Sequence, residues 1–402
     1  MNSRMKYAVV LSSAFLAVFL LIGSLTGKSA PTEGPSGVYK HLGVYSEVLS
    51  RIKSEYVEEP DMKNVTLGAM NGLLEAIDPF ASYLNADQYK DYLKNFDSYR
   101  GDLGLVLAKK FGYIAIVGAV PGSPAAKAGL TTGDMIESIK GIATRDMPLA
   151  YANLLLRGAP GSTVDLTVLR RRPDPQKMTL TRVAVASPVG ATRVIDGKIG
   201  YIRPETLATG KLKEIAADVK ELQAKGAQQI ILDLRNCSVG DPEDGVALAN
   251  LFLEKGLITY VSGQKFPRQD HNADAAQTIW KGPLVVLTNR ATATAAEVAA
   301  AALGGNKRAE VIGERTYGDA SIRRPITMDD GSAVILSVAK FYAPDGKSIQ
   351  DNGVTPSTVV QEVDAQPDVD ESGEANPPAA QENKPAEDLI LKKALEVLGK
   401  KA

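Results

Sequence analysis

The stretch that decides the fold is Gln229-Ile230-Ile231-Leu232-Asp233-Leu234-Arg235-Asn236, a short apolar run that ends in charged and polar residues. Such a run is typical of a buried strand. Similar runs and helical patterns alternate around it. Strands are predicted at Ile199–Ile202, Leu284–Leu287, Val311–Ile312 and Val334–Tyr342, and helices at Lys211–Lys225, Asp244–Leu253 and Ala295–Leu303. This alternation predicts a mixed or parallel sheet with covered faces, so the fold class is α/β.

Four other regions flank this α/β core, which is predicted to span residues 186–361. Glycine-punctuated β-like runs predict a small, mostly β domain at residues 97–185. A linker and a helical region precede it at residues 31–96, where apolar residues recur at three- and four-residue spacing. Residues 362–402 are rich in Asp, Glu, Pro and Ala, which predicts a disordered acidic tail that ends in a short helix. The chain of 402 residues is therefore multidomain.

Residues 1–30 predict a membrane-anchor helix. Arg4 and Lys6 precede an apolar run from Ala8 to Leu25, which is about long enough to span a bilayer. A cleaved signal peptide and a buried core helix are the alternatives, but Lys28 and Pro31 fit a cleavage site poorly. Positive charge ahead of the span predicts a single-pass inner-membrane protein whose body lies in the periplasm, outside the cytoplasm.

Charge and metal-ligand content exclude several classes of protein. The net charge of −1 gives no reason to expect a nucleic-acid partner. Cys237 is the one cysteine, which excludes an intrachain disulfide and a cysteine-based metal cluster. His41 and His271 lie far apart in sequence and offer no metal-ligand spacing. We therefore expect neither a metal site nor a cofactor.

Ordered motifs carry a family resemblance. Asp78-Pro79-Phe80-Ala81-Ser82-Tyr83-Leu84 is similar to Asp-Pro-His-Ser-Ser-Tyr-Leu of the carboxyl-terminal processing (tail-specific) serine proteases. Further similar segments follow in the family's order: a PDZ-like stretch at Pro121–Leu130, then Leu155–Ser162, Ile199–Ile202, Leu232–Asn236, Gly313–Gly318 and Tyr342–Gln350. The resemblance covers residues 38–361. It implies a helical segment, a PDZ-like β domain and a ClpP/crotonase-like α/β protease core.

The family resembled cuts peptides with a serine nucleophile and a lysine base that a glutamine positions. Its Ser-Ala-Ser-Ala-Ser-Glu motif stands here as Thr292–Glu297, which puts Ala296 at the nucleophile position. Its Gly-Lys-Gly-Ser-Val-Gln motif stands as Gly318–Arg323, which puts Asp319 at the base position and Arg323 at the glutamine position. Acyl transfer needs an oxygen or sulfur nucleophile beside a base, so no catalytic position is intact. The opposite charges of Asp319 and Arg323 predict that they pair.

Other nucleophiles remain open. Thr292 and Thr294 lie close to Ala296 in sequence, but no lysine accompanies them in the motif. Cys237 and His271 form a formal cysteine–histidine pair, although a lone cysteine beside a strand is typically inert core. The resemblance also implies that the turn after the Leu232–Asn236 segment supports an oxyanion hole. Val239 replaces a glycine there, and we expect a positive φ that would distort this turn.

The peptide-binding site of the PDZ-like domain is predicted at Leu103, Gly104, Leu105 and Val106. PDZ domains add a peptide strand to a sheet edge and hold its terminal carboxylate on loop amides. Gly104 lets the backbone approach that carboxylate, and the leucines would shape an apolar pocket. The negative charge of Asp102 is unfavourable nearby, which predicts weak binding.

Two functions compete. The first is a catalytically inactive pseudoprotease outside the cytoplasm that binds peptide or protein carboxyl termini. The second, implied by the resemblance alone, is an active serine-type endopeptidase that acts on periplasmic proteins. A homodimer or an active protease relative is a further expected partner. The apolar faces at Leu42–Ile52 and Leu389–Leu398 are the candidate dimer surfaces.

Overall fold

The computed structural model describes residues 35–95, 101–170, 174–184, 190–208, 210–361 and 388–399. The chain divides into two units, residues 1–66 and 67–402. Helix α1 spans Pro35–Glu55 and therefore begins inside residues 31–36, which are predicted to be a linker; proline fits the first turn of a helix. Helix α2 spans Met62–Glu75. No helix among these described residues has the length and apolarity to cross a bilayer. The predicted anchor at residues 1–30 lies outside them.

The region predicted as helical before the β domain also contains a strand. A short strand, β1, spans Ser82–Leu84 and is followed by helix α3 at Ala86–Asn95. Strand β1 pairs with a strand at residues 333–342, far away in the chain. Three residues are too few to show an alternation of apolar and polar side chains, so the local sequence pattern did not predict this strand.

The next residues form a small antiparallel β domain. Its elements are β2 Leu105–Lys110, β3 Tyr113–Ala119, α4 Pro124–Lys127, β4 Met135–Ile139, β5 Ile142–Ala143, α5 Leu149–Leu156, β6 Thr163–Leu169 and β7 Gln176–Thr181. The strand order is β2-β3-β4-β6-β7, with β5 beside β4. Strand β2 therefore lies at an edge of the sheet. Alternate residues of these strands point into a core that contains Ile114, Ile116, Ile136 and Leu166.

The α/β core begins after this domain. Its elements are β8 Ala191–Ile195, β9 Ile199–Arg203, α6 Lys211–Ala224, β10 Gln229–Asp233, α7 Pro242–Asn250, β11 Leu257–Gly263, β12 Phe266–Asn272, a 3₁₀ turn Ala275–Gln277, β13 Leu284–Thr288, α8 Ala295–Gly305, β14 Glu310–Gly313, β15 Ser321–Thr327, β16 Ala333–Tyr342, β17 Thr358–Val359 and α9 Leu389–Gly399. Strands β9, β10, β13, β14 and β17 are parallel, and β8 pairs antiparallel with β9. A second sheet has the order β1-β16-β11-β12, with β15 beside β16.

Helices cover both faces of the parallel sheet, which explains the uninterrupted apolar run in β10. Leu232 faces a core shared with α6, α7 and α8, whereas Ile231 points to the opposite face. That opposite face is covered by α9, whose Ile390, Ala394 and Leu398 are buried against the sheet. The prediction that the Leu389–Leu398 face is a dimer surface is therefore wrong. The sheet of the same chain covers it, because five parallel strands leave an apolar face that must be buried.

Candidate functional site

The turn between β13 and α8 places Ala296 at the amino-terminal end of a buried helix. Thr294 has φ +54°, an unusual backbone conformation for a β-branched residue. Backbone strain of this kind costs about 1–3 kcal/mol and is concentrated at functional sites. Ala296 follows in the first turn of α8, and its methyl group is almost fully buried. The turn and the helix start are therefore formed, but the side chain at position 296 has no polar atom.

Glu297 joins this helix to the loop that carries Asp319. Its carboxylate is fully buried and accepts hydrogen bonds from the Thr316 hydroxyl and the backbone N–H groups of Gly318 (2.6 Å) and Asp319 (2.8 Å). It also accepts from the N–H of Thr294 at 3.1 Å. Burial raises the pKa of Glu297 to about 7, although the bonds from Thr316, Asp319 and Gly318 oppose that shift. The structure therefore brings positions 296 and 319 to the same end of α8.

Asp319 and Arg323 form the predicted ion pair. An Arg323 guanidinium nitrogen donates to Asp319 Oδ1, and both side chains are largely shielded from solvent. The guanidinium carbon of Arg323 also lies 4.1 Å from the centroid of the Phe80 ring, a cation–π contact. Phe80 meets Tyr317 edge-on, with ring centroids 6.2 Å apart. Asp319 is thus engaged by a cation that two aromatic residues help to position.

The alternative nucleophiles are poorly arranged for catalysis. The Thr292 hydroxyl donates to the Leu234 carbonyl and accepts from the Asn289 N–H, and it is fully buried. Thr294 donates to the Ser238 carbonyl at 3.4 Å. Cys237 is buried in the core, and this burial raises its pKa to about 12, so the reactive thiolate is suppressed. His271 lies on β12 in the other sheet of the core, with Nε2 3.6 Å from Glu243.

The turn after β10 does not have the conformation that we predicted for Val239. Positive φ occurs at Asn236 (+60°) and Gly240 (+151°), and Val239 lies outside that region. The glycine that the conformation requires is Gly240, because a Cβ there would lie 2.9 Å from the side chains of both Ala295 and Leu207. The Val239 carbonyl accepts from the Leu207 N–H at 2.8 Å. The expected strain at Val239 is therefore wrong.

The predicted peptide-binding residues divide into two groups. Gly104 (φ +75°), Leu105 and Val106 line a cavity, whereas Leu103 is fully buried in the core of the β domain. The expectation that both leucines shape a ligand pocket is thus wrong for Leu103. Leu103 and Leu105 would share one side of an extended chain, but the positive φ of Gly104 between them interrupts that alternation, and β2 begins only at Leu105.

The cavity extends from this loop to Arg323, one of the three candidate catalytic positions, and has a volume of about 710 Å³. Its wall includes Asp102 and Gly104 where β2 begins, Ser238–Gly240 in the turn after β10, and Arg323 with Phe80. Strand β3 and the turn after β10 are in close contact, since a Cβ on Gly118 would lie 2.9 Å from Ser238 Oγ. A ligand in this cavity would contact both domains.

Sequence reasoning missed the roles of three residues. Phe80 stands where the family segment has a histidine. This difference was the one sequence feature that could have pointed to its contact with Arg323. Glu297 has the spacing of a helix cap, which concealed its bonds to a distant loop. The bond between Asp102 and the amide of Gly104 could have been suspected from their spacing of two residues.

Comparisons with known proteins agree with the fold. The family model described as peptidase family S41 matches residues 198–360, and the PDZ-domain model matches residues 116–170. The chain is 30% identical over 365 residues to a carboxy-terminal-processing protease of Bartonella bacilliformis, with 89% of this chain and 83% of that protein covered. It is also 30% identical over 367 residues to the carboxy-terminal processing protease CtpA of Bacillus subtilis, with 89% and 77% covered. Among solved structures, a photosystem II D1 C-terminal processing protease gives a TM-score of 0.65 at 27% identity, with 82% of this chain and 89% of that chain covered.

Proposed function

This chain belongs to the carboxyl-terminal-processing proteases of peptidase family S41, and we propose that it is a member that binds peptide tails without cleaving them. The observation that carries the proposal is Ala296, a methyl group at the end of α8 where the family motif has its serine. A methyl group cannot attack a carbonyl carbon or release a proton. Changes in pH or substrate supply no such atom.

The state of the other two positions supports the same proposal. Asp319 replaces the lysine base and is paired with Arg323, which replaces the glutamine. Carboxylates are weak bases at neutral pH, and the contact with the Arg323 guanidinium occupies an oxygen that would have to accept the proton. Members of a catalytic set act together, so losing one costs about as much as losing all, commonly ~10⁴–10⁶ in rate. Substitution at all three catalytic positions is consistent with the loss of peptidase activity.

The PDZ domain supports peptide binding as the remaining activity. PDZ domains bind carboxyl-terminal peptides by extending a sheet edge, and β2 lies at such an edge. Leu105 and Val106 of β2 line the cavity of about 710 Å³, which is a usual size for a ligand site. The ligand class is therefore the extended carboxyl-terminal segment of a protein.

Location and partners complete the proposal. The charges of Arg4 and Lys6 and the apolar run Ala8–Leu25 favour an inner-membrane anchor that places the body in the periplasm. Helix α1 exposes Leu42, Tyr45 and Val48, which suits contact with a second copy or with an active relative.

The test is a cleavage assay on an unfolded protein, with an active family member run in parallel. We expect no hydrolysis by the wild type or by Ala296→Ser, because serine alone lacks an activating base. The combined change Ala296→Ser, Asp319→Lys and Arg323→Gln should recover weak cleavage, since it restores all three family positions.

Wild-type cleavage that Thr294→Val or Cys237→Ser abolishes would overturn the proposal in favour of an active peptidase. Cleavage that persists at the same level in both variants would identify a contaminating protease, and removing that contaminant must then leave the wild type inactive.

A further inference from the structure

The backbone amide that this PDZ domain would offer to a ligand carboxylate already has a carboxylate on it. The N–H of Gly104 donates to Oδ1 of Asp102 at 2.8 Å. Gly104 has φ +75°, and a Cβ at this position would lie 2.4 Å from the Cβ of Ser123. The loop is therefore tightly packed, and its conformation requires glycine. Asp102 and Gly104 both line the large cavity, at the end where β2 begins.

The main chain holds Asp102 in this place. Its N–H donates to the Val183 carbonyl at 2.9 Å, and its carbonyl accepts from the Val183 N–H at 3.1 Å. Gly101 and Gly158 exchange a similar pair of bonds, at 2.9 and 3.0 Å. Gly158 follows Arg157 and Gly101 precedes Asp102, so the pairing of the two glycines brings Arg157 close to Asp102. The carboxylate position is thus set by tertiary pairing as well as by the local loop.

A cation completes the arrangement. Nε of Arg157 lies 3.3 Å from Oδ2 of Asp102, so the two carboxylate oxygens contact an amide and a guanidinium. This is the combination that a peptide's terminal carboxylate would use. The two side chains are 38% and 34% exposed, and ion pairs with that exposure contribute little net stability. A competing carboxylate can therefore displace the side chain without unfolding the loop.

We propose that Asp102 is a built-in competitor for the carboxylate site and determines which ligands the groove accepts. The proposal rests on the tail-binding function proposed above. A tethered carboxylate competes at high effective concentration, so a ligand carboxylate must displace it before binding. The wild-type groove consequently gains little from a free carboxyl terminus and recognises its ligands mainly through strand pairing and apolar contacts. Removal of the Asp102 carboxylate converts the groove into a selective carboxylate receptor.

The experiment compares two peptides of identical apolar sequence, one with a free terminal carboxylate and one amidated. Dissociation constants are measured for the whole chain in the wild type, Asp102→Ala and Asp102→Asn. Asp174→Ala is the matched control, because it removes an exposed aspartate of the same domain that does not line the cavity. We expect less than about threefold preference for the free acid in the wild type and the control. Asp102→Ala should tighten free-acid binding at least about tenfold and leave the amidated peptide unchanged within about twofold.

Asp102→Asn keeps an oxygen acceptor for Gly104 but lacks the charge, so we expect an intermediate gain. Equal tightening of both peptides by Asp102→Ala, or no change in either, would overturn the inference while leaving tail binding intact. If no variant binds either peptide, the proposed function fails, and hydrogen exchange then tests the contact itself. Exchange of the Gly104 amide should be at least about tenfold faster in Asp102→Ala than in the wild type and the control. Unchanged exchange would mean that Asp102 does not occupy this amide.

Discussion

At the scale of single residues, Glu297 holds the site together and has an unusual protonation equilibrium. Its carboxylate binds the helix start at Thr294 and the loop at Gly318 and Asp319. Burial raises its pKa from 4.5 to about 7. The folded state therefore binds more protons than the unfolded state between those two pH values, and stability falls as the pH rises. The contribution of this group is fully present below pH 4.5 and is lost as the pH passes through about 7.

We predict that Glu297→Gln flattens the pH dependence of folding stability. From pH 4.5 to 8, the free energy of unfolding of the wild type should fall relative to that of the variant by about 3 kcal/mol, the value of a shift of this size. The variant should be less stable overall, because its amide group faces N–H donors. Urea unfolding at several pH values measures both effects. Glu221→Gln, an exposed helix position, is the control and should run parallel to the wild type. Parallel curves for Glu297→Gln would contradict the assignment.

At the scale of elements, α9 closes the second face of the parallel sheet. Leu398 is fully buried there, whereas Leu389 is 37% exposed. Asp388 precedes the helix and accepts two hydrogen bonds from the Arg235 guanidinium, both at 2.8 Å. Arg235 in turn contacts the fully buried Asp233 at the end of β10. The terminal helix is thus joined to the central strand by packing and by charge.

We predict that Leu398→Ala lowers the free energy of unfolding by about 2–4 kcal/mol, because it removes a buried side chain and leaves a cavity. Leu389→Ala on the same helix should cost less than about 1 kcal/mol, since that side chain is partly exposed. Denaturant unfolding of the two variants measures the difference. Equal and small effects would mean that α9 is not docked on the sheet.

At the scale of the whole molecule, the proposed anchor determines where the binding body acts. Alkaline carbonate washing should leave the full-length protein in the membrane pellet, because a spanning helix is held by burial of its apolar side chains in the lipid core. A variant that begins at residue 31 should appear in the soluble fraction and serves as the control. Release of the full-length protein by the wash would contradict the anchor and favour a cleaved leader or a peripheral association.

Local sequence patterns located most of the regular elements in the two folded domains. The apolar runs predict strands at Met135–Ile139, Thr163–Leu169 and Gln229–Leu234. Strands β4 and β6 have these bounds, and β10 ends one residue earlier. These strands were recognisable because their own side chains carry the apolar pattern that burial requires. Strands β1 and β15 were missed, since their stability comes from pairing with β16 rather than from their own sequence.

The sequence by itself indicated the family and predicted which residues stand at the three catalytic positions, because the order of the motifs and the chemistry of their side chains can be read directly from the chain. Tertiary structure alone decided what surrounds them. It placed Phe80 on Arg323, joined Glu297 to the loop before Asp319, and set Asp102 on the Gly104 amide beside Arg157. It also buried, against the parallel sheet, the apolar face of α9 that the sequence predicted to be a dimer surface. The physical reason is that periodicity records which faces are apolar, whereas the partner of each face depends on contacts between residues far apart in the chain.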